Sequence, residues 1–367
     1  MRRRDVLLTP FLAPLAAQEK KPREWVTAAA SRDTAPRVGL IPSNFAGSEE
    51  IDGRKIRALT KPAALDSTLS AAQLDDMLRL AVELGGGRRG GLVTAMHRDD
   101  WVVIKTCVQR CPGEAGFHAG AVTDPRLVAG VLRYLAERGL GRRFTIAEGA
   151  PCQSDALWDT TWNGEFDGMS YRAIVQSLAK RHAALRFELL DLNTAPSLEM
   201  PVEGRVCAGR NPQGIYHVPR VLRECDKVIS LAPLGTMEGP GVALSMLNYL
   251  GFAPGARYGD SKQGLQALGE AGEIAVDYFS FHPADYAIVG GSFAGNGSKT
   301  RRHNVIIAGT NAPAVDAVGA AVMGLESTSI RHLELAVQRG YGLNDSYSIW
   351  TRGSEIEEVK TEFGKLV

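Results

Sequence analysis

The sequence predicts an α/β fold, a largely parallel or mixed sheet covered by helices on both faces, and three observations carry that prediction. Short unbroken apolar runs rich in Val and Ile recur from residue 38 to residue 308. Segments with apolar residues at helical spacing separate them. Hydrophobic residues make up 44% and charged residues 23% of the chain, the balance of an ordinary folded domain rather than a disordered or fibrous one. Strands buried on both faces read as continuous apolar runs, and intervening helices supply the crossovers that parallel neighbours need. At 367 residues the chain exceeds the roughly 250–300 at which one core stops growing. A body over 37–353 is therefore expected, either one large α/β domain with two lobes at 37–200 and 201–353 or two domains.

The elements follow in order. Residues 1–21 run from Arg2-Arg3-Arg4 through an apolar stretch interrupted by Pro10 and Pro14 to Gln18-Glu19-Lys20-Lys21. That order matches a secretory signal over 1–17, too short to span a bilayer, and Arg3-Arg4-Asp5-Val6-Leu7 is similar to a twin-arginine export motif. A frayed basic terminus is the alternative. Export would leave the chain periplasmic or extracellular after cleavage behind Ala17. No lipobox cysteine follows, so no stable membrane anchor is expected once the signal is removed. The polar, proline-containing residues 18–36 read as a linker.

Val38-Gly39-Leu40-Ile41 predicts the first strand. Ser70 precedes a helix over 71–83, stopped by Gly85-Gly86-Gly87. A strand is predicted at 101–104, and Asp124-Pro125 opens a helix through 136. The alternation continues with strands at 144–147, 187–192, 227–231, 286–289 and 305–308. Helices fall at 171–182, 219–224, 243–250, 313–322 and 329–339, and 354–367 reads as a C-terminal tail.

In such folds ligands bind outside the carboxyl ends of the strands, and the candidate residues lie there. Lys105 follows the strand 101–104 and can meet an anion as a point charge; a solvated strand end is the alternative. Glu148 follows 144–147 and can act as a base or bind a cation, or merely cap a helix. The run from Gly235, through Thr236, Glu238 and Gly239, to Gly241 precedes the helix expected at 243. Its amides could cradle an anion, although a tight turn explains it too. It has neither nucleotide-binding glycine pattern. A second glycine-rich loop is read at 290–299, with Arg301, Arg302 and His303 beside it, suited to a small anion or to a mobile surface loop. Lys105, Glu148 and His303 are the candidates for catalysis.

Other classes find little support. Lys and Arg total 42 against 41 Asp and Glu, without a basic run past the first residues, so no nucleic-acid partner is expected. The five cysteines, Cys107, Cys111, Cys152, Cys207 and Cys225, do not form a disulfide framework; Cys107 and Cys111 read as one bridge or as two buried thiols. No confident metal site, iron-sulfur run or GxSxG elbow is present, and the cofactor, if any, stays unknown.

Taken together, these segments resemble the domain-of-unknown-function family 362, bacterial and archaeal proteins of which some carry ferredoxin-like segments. The resemblance rests on 101–105, 144–149, 228–251, 304–316 with Pro313-Ala314-Val315-Asp316, and the turn at 340–345, and it spans 38–353. It adds Asn248 and Asp316 to the ligand-binding candidates; Asp316 in a first helical turn could equally be structural. Thr106-Cys107 stand where the family tends to show Pro-Asn, Gly235-Thr236-Met237 where it shows Lys-Thr-His, Leu247 where it shows Lys, and Asn311 where Asp is common. The leading expectation is an exported protein binding a small anionic ligand or metal complex at the strand ends. The others are a redox accessory working with an iron-sulfur partner, which the family's ferredoxin-bearing members imply, and a degenerate, non-enzymatic interaction protein.

Overall fold

The computed structural model describes residues 35–363 except 52, 87–90, 113, 153, 161–164 and 298. The expected signal, 1–17, lies outside the described residues, as does the expected linker apart from 35 and 36. Among the described residues there are thirteen strands: β1 (Arg37–Pro42), β2 (Glu49–Ile51), β3 (Arg54–Ile56), β4 (Trp101–Lys105), β5 (Arg143–Glu148), β6 (Arg186–Asp191), β7 (Ser197–Pro201), β8 (Ile215–Pro219), β9 (Lys227–Met237), β10 (Gly241–Val242), β11 (Tyr286–Asn296), β12 (Lys299–Gly309) and β13 (Trp350–Gly353). Nine of these build one mixed, mostly parallel sheet in the order β13-β1-β12-β11-β9-β4-β5-β6, with β10 added to β9. β2–β3 and β7–β8 are separate antiparallel pairs.

Side-chain alternation divides the core between the two faces of this sheet. On one face Val102, Ile104, Phe144, Ile146 and Ile229 pack under the helices Ala71–Leu84, Pro125–Glu137 and Tyr171–Arg181. On the other, Val103, Ala147, Val228 and Val289 pack under Ala271–Phe281, Ala312–Val322 and Arg331–Gln338. The helix starts follow local chemistry. Ser70 and Gln73 close a reciprocal capping box, and Asp124 accepts the amide of Arg126 ahead of Pro125 at the first helical turn. The sheet also runs through the expected lobe division: β1 lies between β12 and β13, and β4 pairs with β9.

Four expectations need correction. No helix covers 243–250; instead a 3-10 turn spans Leu247–Phe252, because Ala243 donates its amide back to Gly235 and holds that stretch against β9. The glycines from 235 to 241 do not form a loop before a helix, since β9 continues to Met237 and turns back into β10. Nor is 290–296 a loop: it extends β11, with a register shift between Gly291 and Phe293. Gly290 adopts φ +114°, and a Cβ there would lie 2.0 Å from the Val305 carbonyl oxygen, so glycine permits the bulge and the close neighbouring strand. Residues 354–363 are no loose tail. They include the helix Ile356–Val359, and Phe363 is fully buried with its amide on the Met323 carbonyl. The helix Ala271–Phe281, almost wholly buried, has too little of a polar face to stand out by periodicity.

Candidate functional site

β4 and β5 are parallel neighbours, with Lys105 opposite Ala147. Glu148 is therefore one residue past the end of β4, where side chains from opposite faces of the sheet can meet around its edge. They do meet. Lys105 Nζ lies 3.2 Å and 3.3 Å from the two Glu148 carboxylate oxygens and 3.2 Å from Asn248 Oδ1, and it also donates to the Thr106 carbonyl. Glu148 accepts in addition from Thr106 Oγ1 at 2.8 Å and from the Gly149 amide at 2.9 Å. Lys105 is 1% and Glu148 2% exposed, so the pair has left water.

Burial decides the electrostatics. Loss of hydration pushes the Glu148 carboxyl up, and the opposing pull of Lys105, Thr106 and Gly149 does not cancel it. The neighbouring thiol of Cys107 is pushed up to about 12 by burial and by the Glu148 charge, which leaves it protonated and unreactive.

Asn248 extends the pair into a chain of hydrogen bonds. Its Nδ2 donates to the Lys105 carbonyl at 3.0 Å and to Ser230 Oγ at 3.1 Å, and Ser230 Oγ donates to the Ser245 carbonyl at 2.9 Å. Asp316, on the helix Ala312–Val322, accepts from Ser245 N at 2.9 Å, Ser245 Oγ at 2.5 Å and Met246 N at 2.8 Å. The helix thus fixes the segment that carries Asn248. Asp316 is wholly buried, and its carboxyl is pushed up to about 7 by burial despite those three donors.

The sequence gives no signal for two further members of the cluster. Lys262 is half-buried, and its amine donates to Asn193 Oδ1, which Asn193 offers while its own Nδ2 binds the Ala150 carbonyl at 2.6 Å. Glycines bring these segments together: a Cβ on Gly149 would lie 2.3 Å from the Gly251 carbonyl oxygen and 3.3 Å from Lys262 Nζ, and one on Gly251 would lie 2.5 Å from Lys105 Nζ. Lys262 is lowered to about 8, first by burial and then by the Lys105 charge, although Glu148, Asp260 and Asp191 favour its cation.

The remaining sequence candidates lie elsewhere. Gly235 and Thr236 are in β9 past Ser230, the residue opposite Lys105, and Thr236 Oγ1 donates to Asn296. Glu238 and Gly239 are in the exposed turn beyond them, and Gly241 is in β10. His303 is buried on β12 against the Phe363 ring, 6.2 Å between centroids, and burial together with Arg301 lowers it to about 4, so it is neutral at physiological pH. Its surroundings are the C-terminal segment rather than Lys105. Among the described residues, no three His, Cys, Asp or Glu side chains group to hold a metal ion.

The cysteine pairing also differs from expectation. Cys111 bridges Cys152, 41 residues away, and Cys107 is a free thiol. Spacing favoured the nearer pair, but Cys107 faces Thr123 across the base of the loop while Cys111 reaches the loop after β5.

Fold and site together define an α/β protein whose mostly parallel sheet gathers a buried lysine-glutamate pair and its polar supports at the carboxyl edge. The family model described as a domain of unknown function, DUF362, matches residues 102–321, from β4 into the helix Ala312–Val322, and the chain belongs to that family. No curated protein matches the chain.

Proposed function

We propose that the protein binds a small anionic ligand at the carboxyl edge of its sheet, with Lys262 meeting the anion first and Lys105 behind it. The supporting observation is the placing of two amines around one carboxylate, Lys105 directly on Glu148 and Lys262, held by Asn193, beside Gly149, the residue that follows it. Because burial holds the Glu148 carboxyl up, uptake of a proton there leaves both amines without their nearest counter-charge. An anion then takes the carboxylate's place electrostatically, which couples binding to proton uptake.

Titration calorimetry with inorganic phosphate and with a dicarboxylate, each in two buffers of different ionisation enthalpy, tests this reading. Binding with net proton uptake is expected, weakened about tenfold in Lys262→Ala, equivalent to ~1.4 kcal/mol. Absence of binding by the wild-type chain, or an unaltered affinity in the variant, overturns it.

The same reading places the mature protein outside the cytoplasm. The basic-then-apolar start and the Cys111–Cys152 bridge support export, since disulfides persist in oxidising compartments.

A further inference from the structure

The bridge between Cys111 and Cys152 has a particular position. Cys111 lies in the loop that begins with Thr106, immediately after Lys105, and Cys152 lies in the loop that begins with Gly149, immediately after Glu148. The two loops that supply Thr106 Oγ1 and the Gly149 amide to Glu148 are therefore joined covalently a few residues further out. Cys111 is buried, whereas Cys152 is partly exposed, so one side of the bridge faces solvent. Lys105 and Glu148, by contrast, are almost completely enclosed. The loops after β4 and β5 form one wall of that enclosure, with the Thr106 carbonyl on Lys105 and the Gly149 amide on Glu148, and the segment Leu247–Phe252 forms the other.

We propose that the Cys111–Cys152 disulfide is a redox latch on the strand-edge site: oxidised, it holds the loops after β4 and β5 closed over Lys105 and Glu148, and reduced by a dithiol it lets them separate. This rests on the anion-binding reading of the same site. In the opening step one thiolate of the dithiol attacks a bridge sulfur, the sulfur–sulfur bond breaks and a mixed disulfide forms. The second thiol of the reductant then resolves it. Two electrons and two protons end on Cys111 and Cys152, and the reductant leaves as its own disulfide. The free thiol nearest in sequence, Cys107, is half-buried, with its amide on Thr123 Oγ1 and its thiol pushed up to about 12, so it stays protonated, does not attack the bridge, and the electrons come from outside the chain.

The latch is tested on the full chain by amine acylation with acetic anhydride, read peptide by peptide in the oxidised protein, in protein reduced with dithiothreitol, and in Cys111→Ser/Cys152→Ser. Lys105 is expected to react about tenfold faster once the bridge is open, as for a segment released by local rather than global unfolding. Lys227, in an ion pair with Asp285 at the far end of β9, should keep its rate. Equal Lys105 rates in oxidised and reduced protein overturn the latch, as does a rise shared by Lys227, which marks general loosening. If the double variant does not fold, reduced wild type with its thiols counted carries the test. Phosphate bound equally by both redox forms also overturns the latch and leaves the binding reading standing. Failure of phosphate to bind either form, with Lys105 still released on reduction, removes the binding reading alone.

Discussion

Two of the buried ion pairs among the described residues, Arg126–Asp124 and Lys105–Glu148, are built to opposite ends. Arg126 and Asp124, at the start of the helix Pro125–Glu137, meet through two parallel contacts, Nε to Oδ1 at 3.0 Å and Nη2 to Oδ2 at 2.8 Å. The remaining guanidinium protons go to the Leu69 carbonyl and Ser292 Oγ, at 2.9 Å and 2.8 Å, with Asp167 at 3.5 Å. Burial works against the Arg126 charge, yet Asp124 outweighs it and the guanidinium is held above its ordinary value. At Lys105 and Glu148 the balance reverses: burial outweighs the partner and the carboxyl is raised. A planar fork matched to a carboxylate commits a pair to its charge. An ammonium point charge shared among a carboxylate, an amide and a carbonyl leaves the carboxylate able to change state.

The largest effect expected from this contrast is on stability. Arg126→Ala strands a buried carboxylate and should cost about 3–5 kcal/mol in denaturant unfolding. Replacing both site charges, Lys105→Met with Glu148→Gln, removes the uncompensated charge along with the pair. It should cost about 1–2 kcal/mol, from the hydrogen bonds that Thr106 and Asn248 lose. Equal losses in the two experiments would erase the distinction. Binding should divide the other way, with the phosphate response kept in folded Arg126→Ala and lost in the double variant.

A smaller effect concerns pH and places Asp316 with the second kind of carboxyl. Its folded-state pKa, about 7, is above the ordinary 3.8, so between those values the folded chain holds the extra proton. The resulting stability is complete below the unfolded value and is lost as pH rises through about 7. Asp316→Asn removes that titration and keeps one acceptor oxygen, so either Ser245 or Met246 loses its partner at about 1–3 kcal/mol. Urea unfolding from pH 4 to pH 8 should therefore show a flatter slope in the variant. An unchanged slope would mean that other groups set the pH response.

The core of the site was legible for a geometric reason, and the rest was hidden for another. Lys105 and Glu148 follow apolar runs that could only be buried parallel strands, and parallel strands bring their following residues to one edge. Glycine, however, carries two meanings. At 235–241 and 290–296 it marks strand irregularity and close backbone approach, where a loop was expected. Lys262 had no pattern to reveal it, since it lies in an irregular stretch between short turns and reaches the site only because Gly149 and Gly251 let the segments touch. The Cys111–Cys152 pairing could not follow from spacing, because the two residues are neighbours only once β4 and β5 are paired.

The smallest stability change is expected where the binding change is large. Lys262 has φ +60°, a left-handed conformation that costs a residue with a Cβ roughly 1–2 kcal/mol and glycine almost nothing. Lys262→Gly relieves that strain, while it gives up the hydrogen bond to Asn193 and adds freedom to the unfolded chain, terms of about 0.5–1.5 kcal/mol each. These effects oppose one another, so the melting temperature should stay close to wild type while phosphate affinity falls about tenfold. Near-neutral stability with lost binding distinguishes a group that faces the ligand from one that holds the fold. A Lys262→Gly chain that unfolds as easily as Arg126→Ala, with its phosphate response intact, would put Lys262 among the structural charges and leave Lys105 without an outer partner.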